Sequence, residues 1–223
     1  YHCVPVATEG QAIKPSLGYG MAIPQTVQDQ LGITNGQRPP LVFASPYLGK
    51  ALAFGLRGSN QEKLLNASIP GTDAELVLAC DRERMMPRAR DITVFAFPDD
   101  GFVDLPDAER QCVSIKPVPF SEAQVVLKAG NAEDLMRAGL QILSFRESFP
   151  ELQGYNFSEQ SLREKGYTTL TQYLGALVRE GTIIWENQVR GVNPHPVLAQ
   201  QLGVELVPSG SRAPAKKALA PQL

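Results

Sequence analysis

Short apolar runs separated by Gly and Pro dominate residues 1–128 of this 223-residue chain, and they restrict its fold more than any other feature. The runs are YHCVPV, PPLVFAS, AELVLAC, DITVFAF and RQCVSI, each of a length typical of a β-strand. Parallel strands need crossover connections, usually helices, and this part of the sequence contains few long helical patterns. The sequence therefore predicts an α+β fold with an antiparallel β core rather than a doubly wound parallel sheet.

The pattern changes after residue 128. Leu, Met, Ile, Tyr and Val recur at helical spacing from NAEDLMRAGLQILSF through SLREKGYTTLTQYLGALVREG, which predicts helices between residues 132 and 181. The only Trp, in GTIIWENQVRG, is expected to pack these helices onto the β-rich part. We therefore predict a β-rich domain at 1–128, a helical satellite at 129–206 and a flexible tail at 207–223, where Pro, Ala and Ser replace any apolar period.

Composition and charge argue against several classes of protein. No run approaches the roughly 18 apolar residues of a membrane span, so no membrane partner is expected. Three widely spaced cysteines and only two histidines support neither a disulfide framework nor a metal site. A net charge of −2 lacks the basic excess of a nucleic-acid binder, which favours a protein partner. Because the sequence begins at Tyr1 without Met, we expect an excised domain or processed product. The sequence leaves the localisation open, either cytoplasmic or secreted into a host cell.

The stretch PPLVFASPYLGKALAFGL, residues 39–56, combines a strand with a helix. VF suits a strand, SP ends it, and LGKALAF predicts a helix whose Gly and Ala face allows close packing against a sheet. One interpretation is purely structural: Phe54 belongs to the core, and Lys50 extends its ammonium group to solvent. The other interpretation is that both residues line a ligand site.

Two further motifs flank this stretch. His2 stands at the head of the first apolar run, and Glu109 opens the run ERQCVSIKPV, nine residues before Val118. The order of a His on a first strand, a strand–helix element with Lys and an aromatic residue, and a Glu opening a later strand resembles the ADP-ribosyltransferase fold. The resemblance is to its diphtheria-toxin-like branch, which includes the poly-ADP-ribose polymerases. Lys50 takes the place of the family's Lys, and Phe54 that of its second aromatic residue.

The resemblance implies an NAD-dependent ADP-ribosyltransferase whose split antiparallel β core forms an NAD cleft. In that family NAD is a substrate, and the bond between nicotinamide and ribose is cleaved through an oxocarbenium-like state that a nearby carboxylate stabilises. Glu109 would be the catalytic carboxylate, Phe54 would stack on nicotinamide, and His2 would hold the adenosine ribose. No metal is implied. The acceptor would be a macromolecule, and the chain would be a domain of a toxin or effector.

The chain departs from the family at the position of its first Tyr. Val42 or Phe43 stands where the family has its first Tyr, so the nicotinamide wall would keep at most an aromatic face without the phenolic hydroxyl. Phe43 and Lys50 are assigned to the NAD site, and Ser45 is assigned as a donor to the nicotinamide amide or the ribose. The missing Tyr leaves a second hypothesis open: a non-catalytic binding or structural module with this fold or another β-rich fold.

The stretch DRERMMPRAR, residues 81–90, carries four arginines. Alternating charges of this kind are typical of a solvated loop between strands. Guanidinium groups also bind phosphate and acidic partners, so the stretch has a second interpretation as an anion site.

Overall fold

The computed structural model describes residues 1–5, 12–13, 23–34, 40–56, 63–79, 82, 92–105, 111–147 and 157–206. The strands of this part of the chain are β1 (His2–Pro5), β2 (Ala12–Ile13), β3 (Val42–Ala44), β4 (Lys63–Ser68), β5 (Glu75–Ala79), β6 (Ile92–Ala96), β7 (Val103–Asp104), β8 (Cys112–Ser114), β9 (Val118–Pro119), β10 (Gln124–Ala129), β11 (Leu140–Phe145) and β12 (Ile183–Trp185). Several of them coincide with apolar runs that predicted strands, including VFA, ELVLA and ITVFA.

Helices occur on both sides of residue 128. Their bounds are α1 (Gln25–Leu31), α2 (Leu48–Gly55), α3 (Ala132–Arg137), α4 (Glu159–Glu164), α5 (Leu170–Arg179), α6 (Glu186–Arg190) and α7 (Pro196–Leu202). Helix α2 confirms the helix predicted from LGKALAF. Helices α3, α4 and α5 begin at polar side chains that accept a hydrogen bond from a first-turn N–H group, namely Asn131, Ser158 and Thr169. Within the described ranges, no helix has the length and apolar character needed to cross a membrane.

The strands form four sheets, and most neighbouring strands are antiparallel. Sheet I has the order β1-β6-β10, sheet II the order β12-β11-β5-β4, sheet III the order β3-β8-β7, and sheet IV pairs β2 with β9. The pair of β5 and β11 is parallel, whereas the other pairs are antiparallel in the described part of the chain. The chain is thus a mixed α+β protein with several antiparallel sheets, as predicted.

Residues 140–145 form strand β11 and not the helix that their apolar spacing predicted. All six are buried, because β11 lies inside sheet II between β5 and β12. A strand buried on both faces presents a nearly continuous apolar run, which periodicity alone does not separate from a helix. Gly139, with a φ of 110°, allows the chain to leave α3 and enter the strand. Sheet II therefore joins strands from both sides of the boundary predicted after residue 128.

Sheet II separates two apolar clusters. On one face, Val77 and Ala79 belong to a cluster with residues of α2, α3 and sheet I. On the other face, Leu76 and Leu78 belong to a cluster with residues of α4, α5, α7 and Trp185. The alternation of side chains along β5 places the two pairs on opposite faces. Trp185 thus lies where the C-terminal helices pack onto the strands, as predicted.

Helix α2 lies close against the beginning of β5. A Cβ atom at Gly49 would overlap the carbonyl oxygen of Asp73, so a glycine is required at this contact. Ala51 and Ala53 are buried on the helix. The predicted close packing of the Gly and Ala face is confirmed, and it brings α2 next to Glu75, the first residue of β5.

Candidate functional site

The strand–helix element at residues 42–55 is held by segments that are distant in the sequence. Strand β3 pairs with β8, with Ala44 opposite Cys112. The Ser45 N–H donates to the Tyr1 carbonyl oxygen at 2.9 Å. The start of β1, the junction of β3 with α2 and the start of β8 therefore meet at one end of sheet III. The motifs that resemble those of ADP-ribosyltransferases lie in or next to these elements.

The structure describes the backbone of one assigned residue, His2, and does not describe the other, Glu109. For His2 the described part is the backbone, which pairs with Phe95 in sheet I. Glu109 lies outside the described residues. The first described residue after it, Gln111, accepts a hydrogen bond through its carbonyl oxygen from the Leu105 N–H at 2.9 Å. The roles assigned to His2 and Glu109 stay predictions.

Ser45 stabilises the turn between β3 and α2 from a wholly buried position. Its Oγ accepts a hydrogen bond from the Tyr47 N–H at 3.0 Å. On the neighbouring strand, burial raises the pKa of the Cys112 thiol to about 11. Because a thiol is a nucleophile only as the thiolate, Cys112 is not activated at neutral pH. The role of Ser45 as a donor to NAD stays a prediction.

Lys50 is buried in an ion pair, so the interpretation that it extends to solvent is wrong. Its Nζ donates to Glu75 Oε1 at 3.0 Å. Asn66 Nδ2 donates to the same oxygen at 3.1 Å, and the Ser68 hydroxyl donates to Oε2 at 2.9 Å. Glu75 is 0% exposed, and both of its carboxylate oxygens have donors, as a buried carboxylate requires.

Phe54 lies one helical turn after Lys50 and is 40% exposed, so the interpretation that it belongs to the core is wrong. The Lys50 Nζ lies 5.8 Å from the centroid of the Phe54 ring, which is within the range of a cation–π contact. Residues four positions apart lie on the same side of a helix. We refer to this pair as the Lys50–Phe54 platform: an accessible aromatic ring beside an ammonium group that Glu75 neutralises.

Phe43 packs toward α1. It is half-buried against a cluster that includes Val27, Leu105 and Val113. Val42, the other candidate for the position of the family's first Tyr, belongs to a separate cluster on the opposite face of β3. The structure thus brings Lys50 and Phe54 together, and it packs Phe43 in an apolar cluster of its own.

An open groove lies between α1 and β7. Its volume is about 420 Å³, and it is lined by Thr26, Val27, Gln30, Phe102, Val103 and Asp104. This volume is within the range of small-ligand sites. Asp104 lies opposite Cys112, which in turn lies opposite Ala44, so one lining residue of the groove is at the same end of sheet III as Ser45. No motif in the sequence marked this groove.

A second carboxylate, Glu186, is wholly buried at the start of α6. Arg82 binds both of its oxygens, with Nη2 3.2 Å from Oε2 and Nε in contact with Oε1. The Ser144 hydroxyl donates to Oε1 at 2.6 Å, and Arg190 Nε donates to Oε2 at 3.2 Å. Burial alone would raise the pKa of Glu186, but these hydrogen bonds and the charge of Arg82 outweigh it and hold the pKa below its ordinary value. Arg82, the described residue of the arginine-rich stretch, thus belongs to an internal ion pair.

No protein-family model, curated protein or solved structure matches this chain. The likeness to ADP-ribosyltransferases therefore rests on the residues and elements named above. The activity, the use of NAD and the acceptor are proposals that follow from them.

Glu75 is the candidate residue that the sequence pattern missed. It opens the apolar run ELVLA and stands 25 positions after its partner Lys50. A Lys in a helix rich in Gly and Ala indicates a buried ammonium group, and a buried ammonium group requires a carboxylate partner. The sequence contains 23 acidic residues, so the pattern does not select among them.

Proposed function

We propose that this chain is an NAD-dependent ADP-ribosyltransferase, which cleaves the bond between nicotinamide and ribose and transfers ADP-ribose to a macromolecular acceptor. A protein acceptor is favoured over a nucleic acid by the net charge of −2. Glu109 is the catalytic carboxylate, Phe54 holds the nicotinamide, and His2 holds the adenosine ribose. The NAD site is completed by Phe43, Ser45 and Lys50.

The observation that supports this proposal is the meeting of three segments that are far apart in the sequence. The Tyr1 carbonyl oxygen accepts from the Ser45 N–H at 2.9 Å, and Ala44 lies opposite Cys112 in sheet III. Neighbouring strands of a sheet lie about 5 Å apart. The residue before His2, the entry to α2 and the strand that follows Glu109 are thus neighbours, as one bound dinucleotide would require.

The residue types suit the reaction. The bond between the ribose C1′ and the nicotinamide nitrogen breaks, and its electron pair neutralises the pyridinium ring, which leaves. Positive charge develops on the ribose, and a carboxylate such as Glu109 stabilises it. A lone pair of the acceptor then forms the new bond to C1′, and the acceptor's proton is released to solvent. Phe54 offers the leaving ring an accessible aromatic face.

Steady-state cleavage of NAD by the wild type and by Glu109→Gln tests the proposal. The variant keeps the shape of the side chain and removes its charge, so we expect turnover to fall by about 10²-fold or more while NAD binding is largely kept. Glu180→Gln, which removes an exposed carboxylate at the end of α5, is the matched control and should leave turnover unchanged. Turnover of Glu109→Gln close to that of the wild type would show that Glu109 is not the catalytic carboxylate.

The groove between α1 and β7 favours a second candidate function, a module that binds a small ligand without catalysis. Its volume of about 420 Å³ is within the range of ligand sites, and its lining includes both polar and apolar side chains. Ligand binding raises the melting temperature by mass action, so melting with and without NAD distinguishes the two functions. A wild-type protein that NAD neither stabilises nor reacts with would leave the binding module as the better hypothesis.

A further inference from the structure

The ion pair of Lys50 with Glu75 is shielded from solvent, and its two charges cancel. Glu75 is 0% exposed, and the Lys50 side chain is 8% exposed. Asn66 and Ser68 hold the carboxylate from neighbouring β4 at 3.1 and 2.9 Å. Because these two donors of β4 fix Glu75, the carboxylate in turn fixes the position of the Lys50 ammonium group.

The same ammonium group faces the aromatic ring of the platform. Lys50 Nζ lies 3.0 Å from Glu75 Oε1 and 5.8 Å from the centroid of the Phe54 ring. The contacts therefore run from a buried carboxylate, through one ammonium group, to an aromatic side chain that is 40% exposed. A change in the charge of Glu75 would alter the electrostatic potential at the Phe54 ring, because few water molecules screen a buried charge.

The nicotinamide ring of NAD is a cation, whereas the reduced ring of NADH is neutral. An ammonium group without a counter-charge beside Phe54 would repel a cationic ring stacked on that residue, and it would leave a neutral ring almost unaffected. With Glu75 ionised, the ammonium charge is cancelled and the negative potential of the aromatic face remains available to a cation.

We propose that Glu75 is a specificity-determining residue, which neutralises and positions Lys50 so that the platform accepts a cationic pyridinium ring. The inference rests on the proposed function, because it assigns the ring stacked on Phe54 to NAD. It adds a residue that does not touch the substrate and acts through Lys50. It also predicts a preference for the oxidised over the reduced dinucleotide at this site.

The test compares Glu75→Gln with the wild type, using the apparent Michaelis constant for NAD and the inhibition constant of NADH. We expect the constant for NAD to rise about tenfold, the constant of NADH to change less than about threefold, and kcat to stay close to the wild-type value. Glu186→Gln is the matched control, since it removes the second of the two wholly buried carboxylates among the described residues, and it should leave the ratio of the two constants unchanged. A merely structural ion pair would shift both constants together or neither, and that result would overturn the inference.

A double variant keeps the test decisive if Glu75→Gln does not fold. Lys50→Met/Glu75→Gln removes both buried charges, which a folded interior tolerates better than one unpaired charge. The net charge beside Phe54 is then the same as in the wild type, so the ratio of the NAD and NADH constants should stay within about twofold of the wild-type ratio. A tenfold fall in the preference for NAD would contradict this. A wild type that neither binds nor cleaves NAD would instead overturn the proposed function itself.

Discussion

Glu75 and Glu186 are equally buried and differ in what their partners touch. Both are 0% exposed. Glu75 is paired with one ammonium group, which lies beside the partly exposed ring of Phe54. Glu186, on α6, is bound by Arg82, by Arg190 of the same helix and by Ser144. Ser144 connects α6 to β11, and Arg82 connects it to another segment of the chain. The comparison teaches that a buried carboxylate can either tie elements together or hold a cation beside an accessible side chain, and that the position of its counter-ion decides which.

The surroundings of Glu186 form a structural framework. Strand β12 pairs with residues 143–145 of β11, so the first residues of β11 need other partners on that side. The wholly buried Asn187 supplies them: its Oδ1 accepts from the Ile142 N–H at 2.8 Å, and its Nδ2 donates to the Leu140 carbonyl oxygen at 2.9 Å. Asn187, beside Glu186, thus satisfies backbone groups of sheet II, whereas Lys50, the partner of Glu75, contacts an accessible ring.

The largest effect on stability is expected for Lys50→Met. The change leaves the buried Glu75 without a counter-charge, and removal of one partner of a buried pair typically lowers the free energy of unfolding by about 3–5 kcal/mol. Urea unfolding measures it. Lys50→Met/Glu75→Gln should recover most of the loss, because no unpaired charge remains. A loss below about 1 kcal/mol for the single variant would mean that Asn66 and Ser68 suffice to hold the carboxylate.

A smaller effect is expected for Arg82→Met. Ser144 and Arg190 still bind Glu186 in this variant, and the Arg82 side chain is itself 38% exposed. We therefore expect the free energy of unfolding to fall by about 1–3 kcal/mol, measured in the same urea titration. If Arg82→Met lowers the free energy of unfolding as much as Lys50→Met does, Glu186 depends on Arg82 as strongly as Glu75 depends on Lys50. That result would contradict the contrast between the two carboxylates.

The pH dependence of stability should reveal the contribution of Glu186. The pKa of Glu186 is lower in the folded chain than in the unfolded chain, so its contribution is present above the ordinary Glu pKa of about 4.3. That contribution is lost as the pH falls from this value through the lower folded pKa. Urea unfolding between about pH 6 and 3 should show a shallower acid decline for Glu186→Gln than for the wild type. Parallel curves for the two proteins would contradict the assignment.

The smallest effect on stability is expected for Phe54→Ala, because its ring is already 40% exposed. The free energy of unfolding should fall by no more than about 1 kcal/mol, whereas the apparent Michaelis constant for NAD should rise by a factor that corresponds to about 1–3 kcal/mol. Phe145→Ala, at a wholly buried ring of β11, is the control and should lose about 3–5 kcal/mol of stability. Equal stability losses in the two variants would indicate that Phe54 is part of the core.

Local patterns predicted the elements around the candidate site well. VFA forms β3, and LGKALAFG forms α2, because a strand of Val and Phe and a helix of Gly, Ala and Leu are properties of short stretches of chain. The same kind of reasoning failed at β11, where burial on both faces removed the alternation that identifies a strand. The surroundings of the strand, and not its own residues, decided that it is extended.

The sequence by itself determined the mixed α+β class, the strand and helix of residues 42–55 and the close-packing face of α2. Only the tertiary structure decided that Lys50 is paired with Glu75, 25 positions away, and that Tyr1 is bonded to Ser45, 44 positions away. The physical reason is that propensity and spacing act over one or two turns of chain, whereas a buried ion pair or a strand register depends on how whole sheets are placed. The chemistry of the Lys50–Phe54 platform depends on that placement, because Glu75 reaches Lys50 through the packing of α2 on β5.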